Sequence, residues 1–216
     1  MGECFLTLKG KAEIYLEHAG LNTNVECWLE RIGYFDAPAS KGHHLAKSGG
    51  LVKHSINVTQ RLFELTNALD VKWSRKESPF LVGMLHDLVK CRCYRAINGE
   101  MRRRGEASEG SRERSEAPEG PARGRAQDAE PKWEYVQPLY PGHGACSVMI
   151  ATELGISLYP DEIAAITYHM GMYGVGREYT DKEFDNALRL HGPQVLATIY
   201  ADWWAARVDE ESEGAV

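Results

Sequence analysis

The run GMLHDLVKC, residues 83–91, sets a histidine, an aspartate and a lysine into an otherwise apolar, helix-like segment. Burying a charge without a partner costs several kcal/mol or forces the group to neutralise. His86, Asp87 and Lys90 must therefore be solvated, paired, or engaged with something such as a metal ion. Groups of the same kind stand in apolar surroundings elsewhere: His54 in GGLVKHSINV, His143 in YPGHGACSVMI, His169 in AAITYHMGMY and Asp202 in ATIYADWWAARV. Taken singly, a histidine beside apolar residues is more often a hydrogen-bonded core residue than a ligand. His54, His86, Asp87, His143, His169 and Asp202 together, in one chain of ordinary domain size, are harder to explain in that way.

The segments that carry these residues read as helices. NTNVECWLERIGYF puts Val25, Trp28, Leu29 and Ile32 on one face, with Asn22 or Asn24 able to cap. KHSINVTQRLFELTNAL repeats Ile56, Leu62, Phe63, Leu65 and Leu69 at loose helical spacing. Ser78–Pro79 has the form of a cap followed by proline in the first helical position, opening PFLVGMLHDLVK. GHGACSVMIATELG closes at Gly155, and YPDEIAAITYHM begins with proline and two acids. Thr180 and Glu183 form a capping-box pattern whose helix is expected to stop at Gly192, with Pro193 opening the last one. Six to eight helices follow, and the expected fold class is all-α, a compact multi-helix bundle.

One segment departs from this pattern. Residues 99–131 hold seven arginines, eight acidic residues and, apart from Met101, no large apolar side chain. Such a composition cannot bury enough surface to offset chain entropy, so a disordered insertion is expected. Its flanks, CRCYRAI and KWEYVQ, are aromatic and β-branched and predict two paired strands. The insertion then sits at the tip of a small hairpin, within a single domain spanning 1–216.

The hydrophobic fraction of 43% and charged fraction of 26% are those of a soluble globular chain. A net charge of −6 gives no basic footprint for nucleic acid or a membrane surface. Five scattered cysteines lack paired spacing and resemble neither a disulfide framework nor a zinc ribbon. With no long apolar run and no signal-like start, the expected compartment is the cytoplasm.

Imidazole and carboxylate together suit divalent ions such as Mn²⁺, Mg²⁺, Fe²⁺, Co²⁺, Ni²⁺ or Zn²⁺. Bundles build such sites by pointing these groups inward from several helices. Adjacent His86 and Asp87 diverge by about 100° on an ideal helix, so they would bracket a centre at a helix end, with the carboxylate free to bridge two ions. Lys90, three residues after Asp87, shares its face and can either pair with it or meet an anionic substrate. Of Trp203 and Trp204, at least one is expected to pack in the core.

The order His54, His86–Asp87, Asp202 resembles the HD-domain metal-dependent phosphohydrolase superfamily. The likeness extends through APASKGHHLAKSGGLVKHSINV, LHDLVKCRCY, YPGHGACSVMI, AITYHMGMY and IYADWWAARV, blocks similar to those of small bacterial and phage HD-domain hydrolases. It covers residues 25–210, interrupted by the insertion, and implies an HD-type helical domain. The resemblance further implies His54, His86, Asp87 and Asp202 as ligands of one ion, with His143 and His169 completing a second site bridged by Asp87. One or two divalent ions are the implied cofactors. Lys90 is similar to a phosphate-contacting lysine, and His44 matches a histidine able to line the substrate pocket.

The implied activity is hydrolysis of a phosphomonoester or phosphodiester by metal-activated water, with Asp87 and Lys90 as catalytic residues. The expected substrate is a nucleotide or related small phosphorylated molecule. Two other classes share the ligand pattern: a non-catalytic nucleotide- or metal-binding sensor, and a di-iron oxygenase-like protein. Turnover of phosphate esters with added Mn²⁺ separates the first from the sensor; an iron-loaded, oxygen-consuming protein would mark the oxygenase.

Overall fold

In the computed structural model of the chain, residues 7–42, 45–97, 131–136 and 142–213 are described. Thr7 caps α1 (Leu8–His18), accepting a hydrogen bond from the Gly10 amide. Asn22 caps α2 (Thr23–Arg31) by accepting from the amides of Asn24 and Val25. Of the apolar face expected on α2, Leu29 is fully buried, whereas Trp28 faces outward with the Arg31 guanidinium over its ring. An amphipathic pattern limits the possible faces of a helix, and the arginine stacking makes the exposed position tolerable for Trp28.

Helix α3 (Gly50–Ala68) packs against α1 and α4 (Ser78–Leu85) and receives the long C-terminal helix α8 (Asp181–Trp204). Leu51, Val52, Val58 and Leu62 of α3 join Leu16, Leu29, Leu81, Met84, Leu85 and Ile150 in one core. Phe63 and Leu69, counted by spacing among the apolar positions of α3, are exposed instead. A short helix α5 (Lys90–Cys93) leads into the hairpin β1 (Tyr94–Ile97) and β2 (Lys132–Tyr135), antiparallel with Tyr94 opposite Tyr135. The hairpin begins later than the sequence predicts, because Cys91 and Cys93 lie in α5 and not on a strand. Residues 99–130 of the expected disordered insertion lie outside the described residues. Helices α6 (His143–Glu153) and α7 (Pro160–Thr167) complete the bundle, and Gly155, with a φ of +76°, ends α6 as expected. The architecture is mostly helical with one small two-stranded hairpin. Among the described residues, no helix is long and apolar enough to cross a membrane.

Two glycines set the helix spacing. A Cβ on Gly83 would lie 2.4 Å from Thr59 Oγ1 and 2.6 Å from Thr59 Cα, so α3 and α4 cross at bare backbone. A Cβ on Gly144 would lie 2.3 Å from the carbonyl oxygens of Ile166 and Thr167, bringing α6 equally close to α7. The first crossing seats the end of α4 on α3, and the second seats the start of α6 on the end of α7. Gly83→Ala must push α4 off α3 and is expected to cost about 1–3 kcal/mol, the range for over-packing a close contact. Thermal denaturation checks this; an unchanged midpoint would show that the crossing has slack.

One further reading changes and one holds. Ser78 does not cap α4; its hydroxyl donates to Glu162 at 2.7 Å, while Pro79 does occupy the first turn. The break expected at Gly192–Pro193 is present: the backbone leaves helical values at His191, whose φ is −136°, and two helical segments meet there within α8. Proline removes one helical hydrogen bond and clashes with the preceding turn, so the chain breaks its helical path just before Pro193.

Candidate metal centre

Each of the six groups comes from a different part of the bundle except the neighbouring pair. His54 lies inside α3, His86 and Asp87 follow the last residue of α4, and His143 opens α6. His169 follows α7, and Asp202 lies in the last turn of α8. The structure brings all six together. His54 Nε2 is 3.1 Å from Asp202 Oδ1, 3.4 Å from His86 Nε2 and 3.6 Å from Asp87 Oδ2. On the other side of the same carboxylate, Asp87 Oδ1 is 2.6 Å from His143 Nε2 and 3.4 Å from His169 Nε2. Asp87 thus turns one oxygen to each of two imidazole groups. His54, His86 and Asp87, and separately Asp87, His143 and His169, each offer ligand atoms within 4.8 Å of one another.

The backbone fixes how these imidazoles point. His86 Nδ1 donates to the Gly83 carbonyl at 2.9 Å, and His169 Nδ1 donates to the Ile166 carbonyl at 2.6 Å. Both acceptors lie three residues earlier, in the last turn of a helix, where carbonyls lack an intrahelical partner. With the proton held on Nδ1, a neutral ring directs the Nε2 lone pair into the cluster, as a metal-ligating histidine does. His169 Nε2 is buried and, at 3.4 Å from Asp87 Oδ1, makes no well-formed hydrogen bond. A buried polar atom of this kind calls for an explanation, and a cation held between it and Asp87 supplies one. The donor set of nitrogens and carboxylate oxygens fits a borderline or hard divalent ion.

Charge is distributed accordingly. Burial alone would lower the His54 pKa, but hydrogen bonds to Asp202 and Glu210 outweigh it and raise the value to about 9. Burial likewise opposes protonation of His169, yet the Asp87 carboxylate raises it. For His86 burial wins over the attraction of Asp87, and the pKa falls. Burial would raise the Asp87 pKa, but Lys90, His86 and His143 hold it well below the usual carboxylate range. Asp202 is lowered in the same way, chiefly through His54.

These shifts set a pH dependence. A group whose pKa is raised on folding stabilises the fold fully below its ordinary value, here 6.5, and loses that contribution as pH rises through the folded value. His54 therefore contributes less as pH climbs from 6.5 through about 9, and His169, shifted in the same direction, contributes less as pH rises above 6.5. His86, shifted down, changes protonation only below 6.5. The melting temperature in chelator is expected to fall between pH 6.5 and 9. Saturating Mn²⁺ should blunt that fall, because an ion binds the neutral imidazoles. A chelator profile flat across this window would count against the arrangement.

Solvent reaches the cluster at three side chains: His143 is 24% exposed, Lys90 14% and Asp202 13%, against 3% or less for His54, His86, Asp87 and His169. Lys90 stands at this opening as an ion pair with Asp87. His44, expected to line the substrate pocket, lies outside the described residues. Trp203 and Trp204 correct the expectation for the core: they are 43% and 53% exposed. Trp203 follows Asp202 in α8 but points about 100° away from it around the helix, on the side of Ile199, four residues earlier. The 3₁₀ turn Gly171–Tyr173 packs there, with Gly171 against Ile199 and the Tyr173 ring 5.4 Å from that of Trp203.

Glu210 was missed by the sequence reading. It is buried, its Oε1 lies 2.9 Å from His54 Nδ1, and it also accepts from Asn57 Nδ2 at 3.1 Å. In the sequence it stands in the acidic run DEESE, which reads as a solvated helix end. A π-helical turn, Ala205–Asp209, carries it inward. Along an α-helix, Asp202 and Glu210 would differ by about 80° in direction; one extra residue in the wide turn reduces that to about 20°. The available signal was the stripe His54, Asn57 and Arg61 on α3, polar at i, i+3 and i+7 and in need of partners. No protein-family model, curated protein or solved structure matches the chain.

Proposed function

We propose that the chain is a metal-dependent phosphohydrolase of the HD-domain type, cleaving a phosphomonoester or phosphodiester bond in a nucleotide or related small phosphorylated substrate. The observation that carries this reading is Asp87: its two oxygens face two separate imidazole groups, and Lys90 pairs with it at the opening. His54, His86, Asp87 and Asp202 would hold one divalent ion and His143 and His169, with Asp87, a second. Bound there, such ions supply Lewis acidity toward a phosphoryl oxygen and make water acidic enough to ionise near neutrality.

The chain's own groups have distinct tasks. Lys90 can exchange its contact with Asp87 for a non-bridging phosphoryl oxygen and stabilise charge that grows in the transition state. Asp87, held ionised, keeps both imidazole groups facing one reaction zone. His143, the most exposed of the four histidines, would complete the second site on its solvent-facing side. The exposed Tyr173–Trp203 pair, next in the chain to Asp202, offers aromatic faces to a nucleobase, which supports a nucleotide over a small aliphatic phosphate.

Purified protein stripped of metal and assayed on nucleotides and generic phosphate mono- and diesters, with Mn²⁺, Mg²⁺, Co²⁺ or Zn²⁺ added singly, tests the proposal. Ion-dependent release of phosphate or alcohol is the expected result. Ligand-induced thermal stabilisation with no turnover of any ester would assign the site to sensing instead.

A further inference from the structure

We infer that Glu210 is a positioning residue for His54: its carboxylate holds the imidazole so that Nε2 faces the cation site. The inference rests on the metal reading above and adds a residue outside the ligand set. His86 and His169 sit just beyond helix ends and use free terminal carbonyls, Gly83 O and Ile166 O, to fix their rings. His54 lies in the interior of α3, where backbone carbonyls are taken up by the helix, so an acceptor for its Nδ1 must come from elsewhere. The π turn brings Glu210 there, 2.9 Å from Nδ1.

The carboxylate is itself held. Asn57 Nδ2 donates to the same oxygen at 3.1 Å. One turn further along α3, Arg61 grips Asp209 with two hydrogen bonds of 2.8 and 2.7 Å. His54, Asn57 and Arg61 lie on one stripe of α3, and together they bind the π turn along its length. An apolar side chain at position 210 would close the helix ends at less desolvation cost than a buried carboxylate. What the carboxylate adds is orientation and basicity at a ligating imidazole, the contribution that acceptors of this kind make to metal sites.

Isothermal titration of Mn²⁺ into the full-length, metal-stripped protein, its Glu210→Gln and Glu210→Ala variants and Asp209→Asn tests the assignment. Glu210→Ala is expected to weaken Mn²⁺ binding about 10–100-fold. Glu210→Gln, which keeps an acceptor oxygen without the charge, should fall between Ala and wild type and covers the case in which the alanine variant does not fold. Asp209→Asn loosens the turn without touching His54; it should lower the melting temperature and leave Mn²⁺ affinity near the wild-type value. Wild-type affinity in both Glu210 variants, or an equal loss in Asp209→Asn, would overturn the positioning role while the metal reading stands. Wild-type protein that takes up no Mn²⁺ would overturn both.

Discussion

Asp87→Ala protein is expected to bind no divalent ion and to lose about 10³-fold or more in phosphate-ester hydrolysis. The reasoning is geometric. Asp87 is the one carboxylate common to both groups of ligand atoms, so its removal damages both at once, whereas loss of His169 or His54 would damage one. Metal-ion charge stabilisation is worth several kcal/mol of barrier, and about 4 kcal/mol corresponds to a thousandfold in rate. Asp87→Asn keeps the volume and removes the charge, separating loss of ligation from loss of packing. Elemental analysis after dialysis against Mn²⁺, with turnover measured on the same samples and helix content followed by circular dichroism, gives the answer. Folded Asp87→Ala protein that retained its ions and full turnover would remove the basis of the proposed function.

The second large effect lies far from the chemistry. Glu162 is completely buried and collects four donors: Nε and Nη2 of Arg75 at 2.7 and 2.9 Å, Ser78 Oγ at 2.7 Å and the Tyr159 amide at 2.8 Å. This carboxylate joins the start of α4 to the start of α7. Arg75→Ala leaves it buried without its counter-charge, a change that costs about 3–5 kcal/mol when both partners are dry. Arg75 is 29% exposed, which places the loss toward the lower end. At roughly 2–4 °C per kcal/mol for a domain of this size, the melting temperature is expected to drop by about 6–12 °C. The double replacement Arg75→Met/Glu162→Leu should recover part of that drop, because it removes the stranded charge as well as the pair. A single variant within a degree of wild type would show that Ser78 and the Tyr159 amide suffice.

What could be read in advance followed from cost. A charged or imidazole side chain inside an apolar helix is expensive, so its presence is informative even without knowledge of its partners. His54, His86, Asp87, His143, His169 and Asp202 were legible for that reason, and so were the helices around them. Side-chain direction was less legible. Trp28, Phe63 and Trp203 are apolar in type but face outward, because spacing gives the possible faces of a helix and only packing selects among them. Wide turns were not legible either, because the π turn at 205–209 holds no glycine or proline. Gly192–Pro193, by contrast, was legible as a boundary, and the backbone leaves helical values one residue before it, at His191. Arg75 and Glu162, separated by 87 positions, carry no local pattern that links them. Glu210 was hidden for a different reason: its neighbours are acidic, and an acidic run at a helix end normally needs no partner.

The π turn at 205–209 has a consequence for how this chain tolerates change in length. A one-residue deletion inside it would give a more regular and, taken alone, better hydrogen-bonded helix. Glu210 would then stand seven α-helical positions after Asp202, about 20° short of two full turns, so its carboxylate would still face α3. Point substitutions at the outward positions Arg207 and Val208 leave the phasing intact. The stretch is therefore forgiving of which residues occupy it and of the loss of one, whereas a one-residue deletion in the regular part of α8 would turn Glu210 by about 100°.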